Sequence, residues 1–416
     1  MEETLSKMII PFWLNRSIDK KYGGYLTCFD ENGEPEGDTH KYIVTQTRML
    51  WGFSRLRPFA DEYSHWLIED AAKQGFRFMI DHFWDKVNGG VIWKTDQSGK
   101  ALDKGKLVYA QSFAIYAFTE YYLQYGDKAG LDYAEKVFDA LQIFAADNAN
   151  GGYFENLEAD WSPSAGGIYA GDRKSLDIHM HLMEAFTILY KASKKEVHAR
   201  KLKEVIELIT NHMMDTKRGF AFNQFGAKFN RLPAINIYRT WNADRETNEE
   251  FEEPVDSTSY GHNTELSWLL QEALDVLETN NKPHEESYRP VIQGLLDHSL
   301  LYGFDYEYGG VYRDVIEDKP ATVLDKEWWQ NFEAMVGYLN GYIHFNDVKY
   351  FNAYRMTWDF VKSKFINADI GESRQLLDRI GQPIISNLGN PWKGIYHTGR
   401  SLAECIVRTN AVIEGN

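Results

Sequence analysis

Residues 259–270 read SYGHNTELSWLL. His262 and Glu265 stand at the head of a run in which Leu266, Leu269, Leu270, Ala273 and Leu277 recur at helical spacing. Continued backward by four, that apolar stripe reaches His262, with Glu265 beside it, and residues three and four apart share a helix face. A buried face therefore ends in two ionisable groups. His181 and Glu184 repeat the pairing, and His397 precedes Arg400 and Glu404 in GNPWKGIYHTGRSLAE. Taken singly, each histidine reads first as a satisfied structural one; taken together, they also fit bases steadied by carboxylates. Glu333 lies among Trp329, Phe332 and Val336, where an unpaired carboxylate is costly. Arg48, in VTQTRMLWGF, is a guanidinium on an apolar stripe that demands a partner. Trp328 and Trp329 suit either a core or a sugar platform, and spacing alone favours core.

Histidine titrates near neutrality and can take and return protons without a metal. Proton abstraction beside a carbonyl suits such a set: one group removes the proton, another returns it, and Arg or His donors hold the enediolate oxygen. A glycosidase built on paired carboxylates is the competing chemistry. No phosphate-binding G-x-x-x-x-G-K-[ST], no dinucleotide fingerprint and no H-E-x-x-H occurs, so the chain is read as cofactor-independent and without a metal. His179 and His181 invite a metal reading, but positions two apart diverge on a helix.

The elements that must carry these residues announce themselves by a repeated phrase: KKYGGYLTCFDENGEP (20–35), DKVNGGVIWKTDQSGK (85–100), NANGGYFENLEADWSP (148–163), TKRGFAFNQFGAKFNR (216–231) and YEYGGVYRDVIEDKP (306–320). Each reads as a short hairpin or extended loop. Spacing is roughly 60–70 residues except before the last copy, a period suited to a helix pair plus a loop. Between the phrases the pattern is helical. HARKLKEVIELITNHMM (198–214) puts Leu202, Val205, Ile206, Ile209 and Met213 on one stripe, and residues 61–84 and 327–345 behave similarly. Two helices per phrase, repeated about six times, predict an all-α fold: an (α/α)6 barrel with short β-hairpin loops at one end, where a pocket would form. No composition shift marks a boundary, so residues 1–416 are read as one catalytic domain.

Residues 231–258 break the period just before His262. Their middle is acidic (Asp244, Glu246, Glu249, Glu250, Glu252, Glu253, Asp256), and Ile235, Ile237, Tyr238 and Trp241 need somewhere to pack. A long loop with apolar anchors beside a pocket reads as a lid, against the alternative of a solvated loop. The net charge of −16 argues against nucleic acid and anionic membrane surfaces as partners. No apolar run is long enough to span a bilayer, and MEETLSKMIIPFW lacks the pattern of a signal peptide. Two cysteines, Cys28 and Cys405, make no disulfide framework, so a reducing cytoplasm is expected.

Several phrases in order, IIPFW (9–13), TRMLWGFS (47–54), YAQSFAIYAFTEYY (109–122), KSLDIHMHLMEAF (174–186), SYGHNTELSWL (259–269), EWWQNFEAMVGY (327–338) and PWKGIYHTGR (391–400), resemble the N-acylglucosamine 2-epimerase superfamily, above all its cellobiose and mannose 2-epimerase members. The resemblance covers nearly the whole chain and implies an (α/α)6 barrel acting on reducing sugars. It implies that His262 and His397 act as acid and base on opposite faces of C2, and that Arg48 and His181 bind the carbonyl end of the open sugar. It further implies that Glu265 tunes and orients His262, while Tyr109, Trp328, Trp329, Glu333 and Trp392 form walls and sugar contacts. Asp177 stands where cellobiose 2-epimerases tend to carry Asn, which puts its substrate contact in question.

The lid argument favours a monosaccharide, giving D-mannose–D-glucose epimerisation as the expected activity. Cellobiose 2-epimerase is the alternative, followed by mannose–fructose isomerisation and N-acylglucosamine epimerisation. A non-catalytic sugar-binding or protein-binding module would keep the aromatic walls without needing both His262 and His397. The expected partner is a small sugar; a homodimer is compatible with the sequence.

Overall fold

The computed structural model describes residues 1–233, 235, 237–239, 258–277, 282–313 and 317–415, without the side chains of 282–285. The chain is mostly helical with short strands. The principal helices are α1 (residues 2–16), α2 (Ile43–Arg55), α3 (His65–His82), α4 (Val108–Tyr125), α5 (Lys128–Ala140), α6 (Leu176–Ser193), α7 (Glu196–Leu208), α8 (Tyr260–Leu277), α9 (Lys282–His298), α10 (Trp328–Phe345), α11 (Val348–Phe360) and α12 (Tyr396–Glu414).

Odd and even helices differ in kind. On α7 the buried residues are His198, Ala199, Leu202, Val205 and Ile206, one stripe of an amphipathic helix. On α4 nearly every residue from Val108 to Tyr121 is buried, as on a helix covered on both sides. The contacts explain the difference. The even helices pack in a closed cycle, α2 on α4, α4 on α6, α6 on α8, α8 on α10, α10 on α12 and α12 back on α2, and α3, α5, α7, α9 and α11 each back the even helix before them.

The repeated phrases are the hairpins that lead out of the odd helices. Ile18 bridges Tyr25, Trp84 bridges Val91, Ala146 bridges Tyr153 and Phe304 bridges Val311, while Met214–Asp215 pairs with Phe220–Ala221. A sixth hairpin, Ile366–Asn367 with Glu372–Ser373, was not among the five phrases: its Gly371 stands alone, as Gly219 does in the fourth, and Asn367 takes the place of the aspartate that opens the other five. The paired glycines are required where they occur. Gly90 has φ +68°, and a Cβ there would meet the Trp161 ring at 2.5 Å.

Each hairpin is tied to the next even helix by a fixed register. Lys106 Nζ donates to Asp85 Oδ2 at 2.8 Å, and five residues on, Gln111 exchanges hydrogen bonds with the Val91 backbone (2.9 and 2.8 Å). Lys41 and Gln46 do the same for Asp19 and Tyr25. Lys326 and Asn331 do it for Asp305 and Val311. Lys174 holds Asp147, and His179, five residues later, accepts from the Tyr153 N–H at 3.1 Å while its Nδ1 donates to Ser175 O at 2.7 Å. Thr258 with Asn263, and Lys393 with Thr398, complete the set. All five lysines are fully buried. His179 is thus a structural pin, and burial pushes its pKa down to about 4.

Candidate active site

Two residues beyond each pin, seven after the lysine or its substitute, stand Arg48, Phe113, His181, Glu265, Glu333 and Arg400. They lie in the first two turns of the six even helices, and several of them touch. The Arg48 guanidinium sits 4.6 Å from the Phe113 centroid, Phe113 and His181 are 4.9 Å apart, and Arg400 meets both Glu265 and Glu333. One turn earlier on the same helices stand Tyr109, Asp177, His262, Trp329 and His397. The sequence-derived set is thereby brought to one end of the ring of even helices.

The contacts resolve into two supported imidazoles and a shared cation. Arg48 donates to Trp392 O (2.6 Å) and to the Tyr109 hydroxyl (2.7 Å), so the buried guanidinium has its partners. His181 Nδ1 lies 2.8 Å from Glu184 Oε2. Glu184 stays ionised: burial acts to raise its pKa, but Arg400 and His181 hold it at about 2. The His181 Nδ1–H therefore donates, and its Nε2 turns toward Asp177. His397 Nδ1 lies 2.8 Å from Glu333 Oε1, the oxygen that also faces Arg400 Nη2 at 2.6 Å. That arrangement assigns the Nδ1–H tautomer to His397, with its Nε2 lone pair directed away from Glu333. Burial, then the charges of Arg48 and Arg400, drive the His397 pKa well below 6.5, so the ring is neutral. Trp329 contacts both histidines of interest, its ring 4.7 Å from His262 and 5.8 Å from His397, and Trp328 meets His397 edge-on at 6.2 Å. Trp392 sits between Trp93 and Tyr109 at 5.6 and 5.9 Å.

Glu265 departs from its expected role. It points to Arg400 Nη2 rather than steadying His262, because α12, two places along the cycle, brings a guanidinium beside a carboxylate that is fully buried. Burial and the nearby Glu333 raise its pKa. His262 instead has Asp177 Oδ1 3.5 Å from its Nε2, and its backbone N–H donates to Ser259 Oγ at 3.3 Å, a cap at the start of α8. Arg400, Tyr396 and Asp177's bridging position were missed by the sequence reading. Arg400 is the sixth member of the seven-residue register, a spacing that emerges only once the buried lysines are seen.

Among the described residues, Glu265, Glu333 and His397 are the donor set compact enough for a metal, their ligand atoms lying within 4.8 Å. Arg400 already stands against both carboxylates and supplies the positive charge that the pair requires. The described start of the 231–258 segment is anchored on neighbouring loops. Arg239 forks onto Asp103 at 2.8 Å through both nitrogens, Tyr238 O accepts from Asn156, and Ile237 is buried. Its acidic middle, including Trp241 and Asp244 to Asp256, lies outside the described residues.

A ring of helices that presents histidines, carboxylates, an arginine and indoles at one end is a frame for sugar chemistry, and comparison with known proteins is specific. The family model for N-acylglucosamine 2-epimerase (GlcNAc 2-epimerase) matches residues 24–401, and the chain belongs to that family. A cellobiose 2-epimerase from Dictyoglomus turgidum is 28% identical over 420 residues, covering 98% of this chain and 97% of the relative. The structure of cellobiose 2-epimerase from Bacillus thermoamylovorans B4167 superposes with a TM-score of 0.83 at 26% identity, covering 98% of this chain and 97% of that one. A D-mannose isomerase structure, 20% identical and covering 97% of both chains, shares the fold with a TM-score of 0.82. The protein is an isomerase of the epimerase kind acting on carbohydrates. No described helix is long and apolar enough to cross a membrane.

Proposed function

We propose that the chain is a cofactor-independent sugar 2-epimerase that interconverts D-mannose and D-glucose on an (α/α)6 barrel, read as one catalytic domain. The closed cycle of even helices supports the barrel. The observation that carries the mechanism is that His262 and His397 both pack against the Trp329 ring, at 4.7 and 5.8 Å, with Arg48, Phe113 and His181 in the same ring of side chains. In this reading the aldose opens, and Arg48 and His181 hold its carbonyl oxygen. One histidine takes the C2 proton, and the electron pair passes into a cis-enediolate stabilised by those donors. The intermediate turns about C2–C3, and the second histidine protonates the opposite face of C2. Tyr109, Trp328, Trp329, Trp392 and Glu333 supply walls and support, and the proposed setting is the cytoplasm.

The monosaccharide choice rests on the 231–258 insertion, whose described stem leans across the loops that lead into α4 and α6. The 28% identical relatives support a second reading, cellobiose 2-epimerase. Proton NMR with D-mannose in deuterated water, run beside cellobiose, tests both. Glucose carrying deuterium at C2, with cellobiose unchanged, is the expected result. Conversion of cellobiose to its mannose-terminated epimer selects the second reading. Fructose as the product would make the enzyme an aldose–ketose isomerase, and exchange on neither sugar would sink the assignment. His262→Ala and His397→Ala should each lower epimerisation by about 100-fold or more; near-full activity in either removes the two-histidine mechanism.

A further inference from the structure

Asp177 carries more than the substrate contact considered from the sequence. Its Oδ1 lies 3.4 Å from His181 Nε2 and 3.5 Å from His262 Nε2, between imidazoles supplied by two successive even helices. That oxygen is itself buried and has no hydrogen-bond donor, although the side chain as a whole is 38% exposed. It is not spent on capping α6, because Ser175 Oγ takes the Ile178 N–H. A buried carboxylate oxygen without a donor is costly, and a protonated imidazole is the group nearest to hand that would relieve it. The first turn of α6 also favours a negative charge here.

Resting on the two-histidine reading above, we propose that Asp177 sets the charge of His262. Its carboxylate makes His262 the proton-carrying imidazole of the resting enzyme and leaves His397 the empty one. Among the described residues the titratable and charged groups around this pair are His181 on α6, Glu265 on α8, Glu333 on α10, His397 and Arg400 on α12, Arg48 on α2, Tyr109 on α4 and Glu155 on the loop before α6. They divide asymmetrically. His397 has its Nδ1 committed to Glu333 and is surrounded by Arg48, Arg400 and two other imidazoles. The carboxylate at His397, Glu333, is already shared with Arg400, whereas the Asp177 oxygen at His262 Nε2 faces two imidazoles. Opposite charge within a few ångströms favours the protonated imidazole, and clustered positive charge opposes it.

The consequence is a direction of proton flow. The substrate epimer whose C2–H faces His397 meets an enzyme ready for it. His397 Nε2 takes that proton, the C–H electron pair enters the enediolate, and His262 gives its proton to the opposite face. Turnover leaves His397 protonated and His262 neutral, and exchange with solvent resets them. Asp177 is a positioning residue for charge, and its effect belongs in the alkaline limb of the pH profile, where His262 loses its proton.

The test is Asp177→Asn, with Asp177→Glu as the charge-preserving control. The pH dependence of kcat/KM is measured in both directions, and the His262 ring is titrated by NMR without substrate, its signal assigned by loss in His262→Gln. In Asp177→Asn the alkaline limb should fall by about one pH unit or more, equally in both directions, and the His262 titration should fall with it. Asp177→Glu should restore both. An unmoved alkaline limb overturns the proposal whatever the NMR shows, and so does an unmoved His262 titration; a uniform loss of kcat/KM at every pH would make Asp177 a substrate contact alone. Because the titration is read on free enzyme, it stays informative if His262 proves dispensable, which is the separate failure of the two-histidine reading.

Discussion

His397 and its carboxylate define what a single side chain does here. Glu333 Oε1 receives the His397 Nδ1–H and faces Arg400, so the imidazole is held in one tautomer with its lone pair on Nε2. Glu333→Gln keeps the size of the group but places an amide donor within reach of Nδ1, and so competes for the other tautomer. We expect kcat to fall by about 100-fold or more with a smaller change in KM; steady-state kinetics on mannose in which KM alone rises would assign Glu333 to binding. The site residues were legible in the sequence to different depths. Arg48 and Glu333 stood out because a charge on an apolar stripe needs a partner, and each has one. The partner of Glu265 was not legible. Helix register reveals neighbours three and four residues away, whereas Arg400 is 135 residues distant and arrives only when α12 packs against its neighbours.

At the scale of elements, the lysine pins decide where each even helix begins. Lys174 and Asp147 are both almost fully buried and 2.8 Å apart, as are Lys326 and Asp305 at 3.0 Å. Removing one partner of a buried pair leaves an uncompensated charge. Lys174→Met should therefore cost about 3–5 kcal/mol in urea denaturation. Lys326→Met should cost less, since Arg379 remains on Asp305 at 3.0 Å; equal losses would show that the second cation contributes nothing. Helices at 198–214 and 327–345 were legible from periodicity, and the glycine-marked hairpins from repetition. The sixth hairpin was not, because it has Asn367 where the other five carry aspartate, and, like the fourth, it offers a single glycine, Gly371. The lysines also escaped the sequence reading, since a lone lysine carries no periodic signal and looks like a surface residue until its aspartate is seen beside it.

For the whole molecule, the closed cycle of even helices and the distributed pins act together. With the chain read as one unit, a single cooperative unfolding transition is expected, coincident by far-UV circular dichroism and tryptophan fluorescence; two separated transitions would divide it. Burial opposes ionisation of Asp85, Asp147 and Asp305, yet Lys106, Lys174 and, at Asp305, Arg379 together with Lys326 hold all three at about 2. A carboxylate depressed in the folded state contributes stability that is present above its unfolded pKa near 3.9 and lost as pH falls toward the folded value. Stability should accordingly drop between about pH 4 and about pH 2, by roughly 2 kcal/mol for each aspartate before the offset from lysines that burial itself disfavours. Urea midpoints measured at pH 7, 4 and 3 would show it, and a midpoint unchanged at pH 3 would contradict it. The register itself has a practical meaning. Pins occupy one position and its partner five residues on, whereas the groups proposed to face the sugar stand three, four and seven residues after that first position. An engineer who wants a different substrate can address all six helix starts by counting from a lysine, or from Thr258 on α8, and rewrite the lining of the cup without touching the rivets that hold its wall.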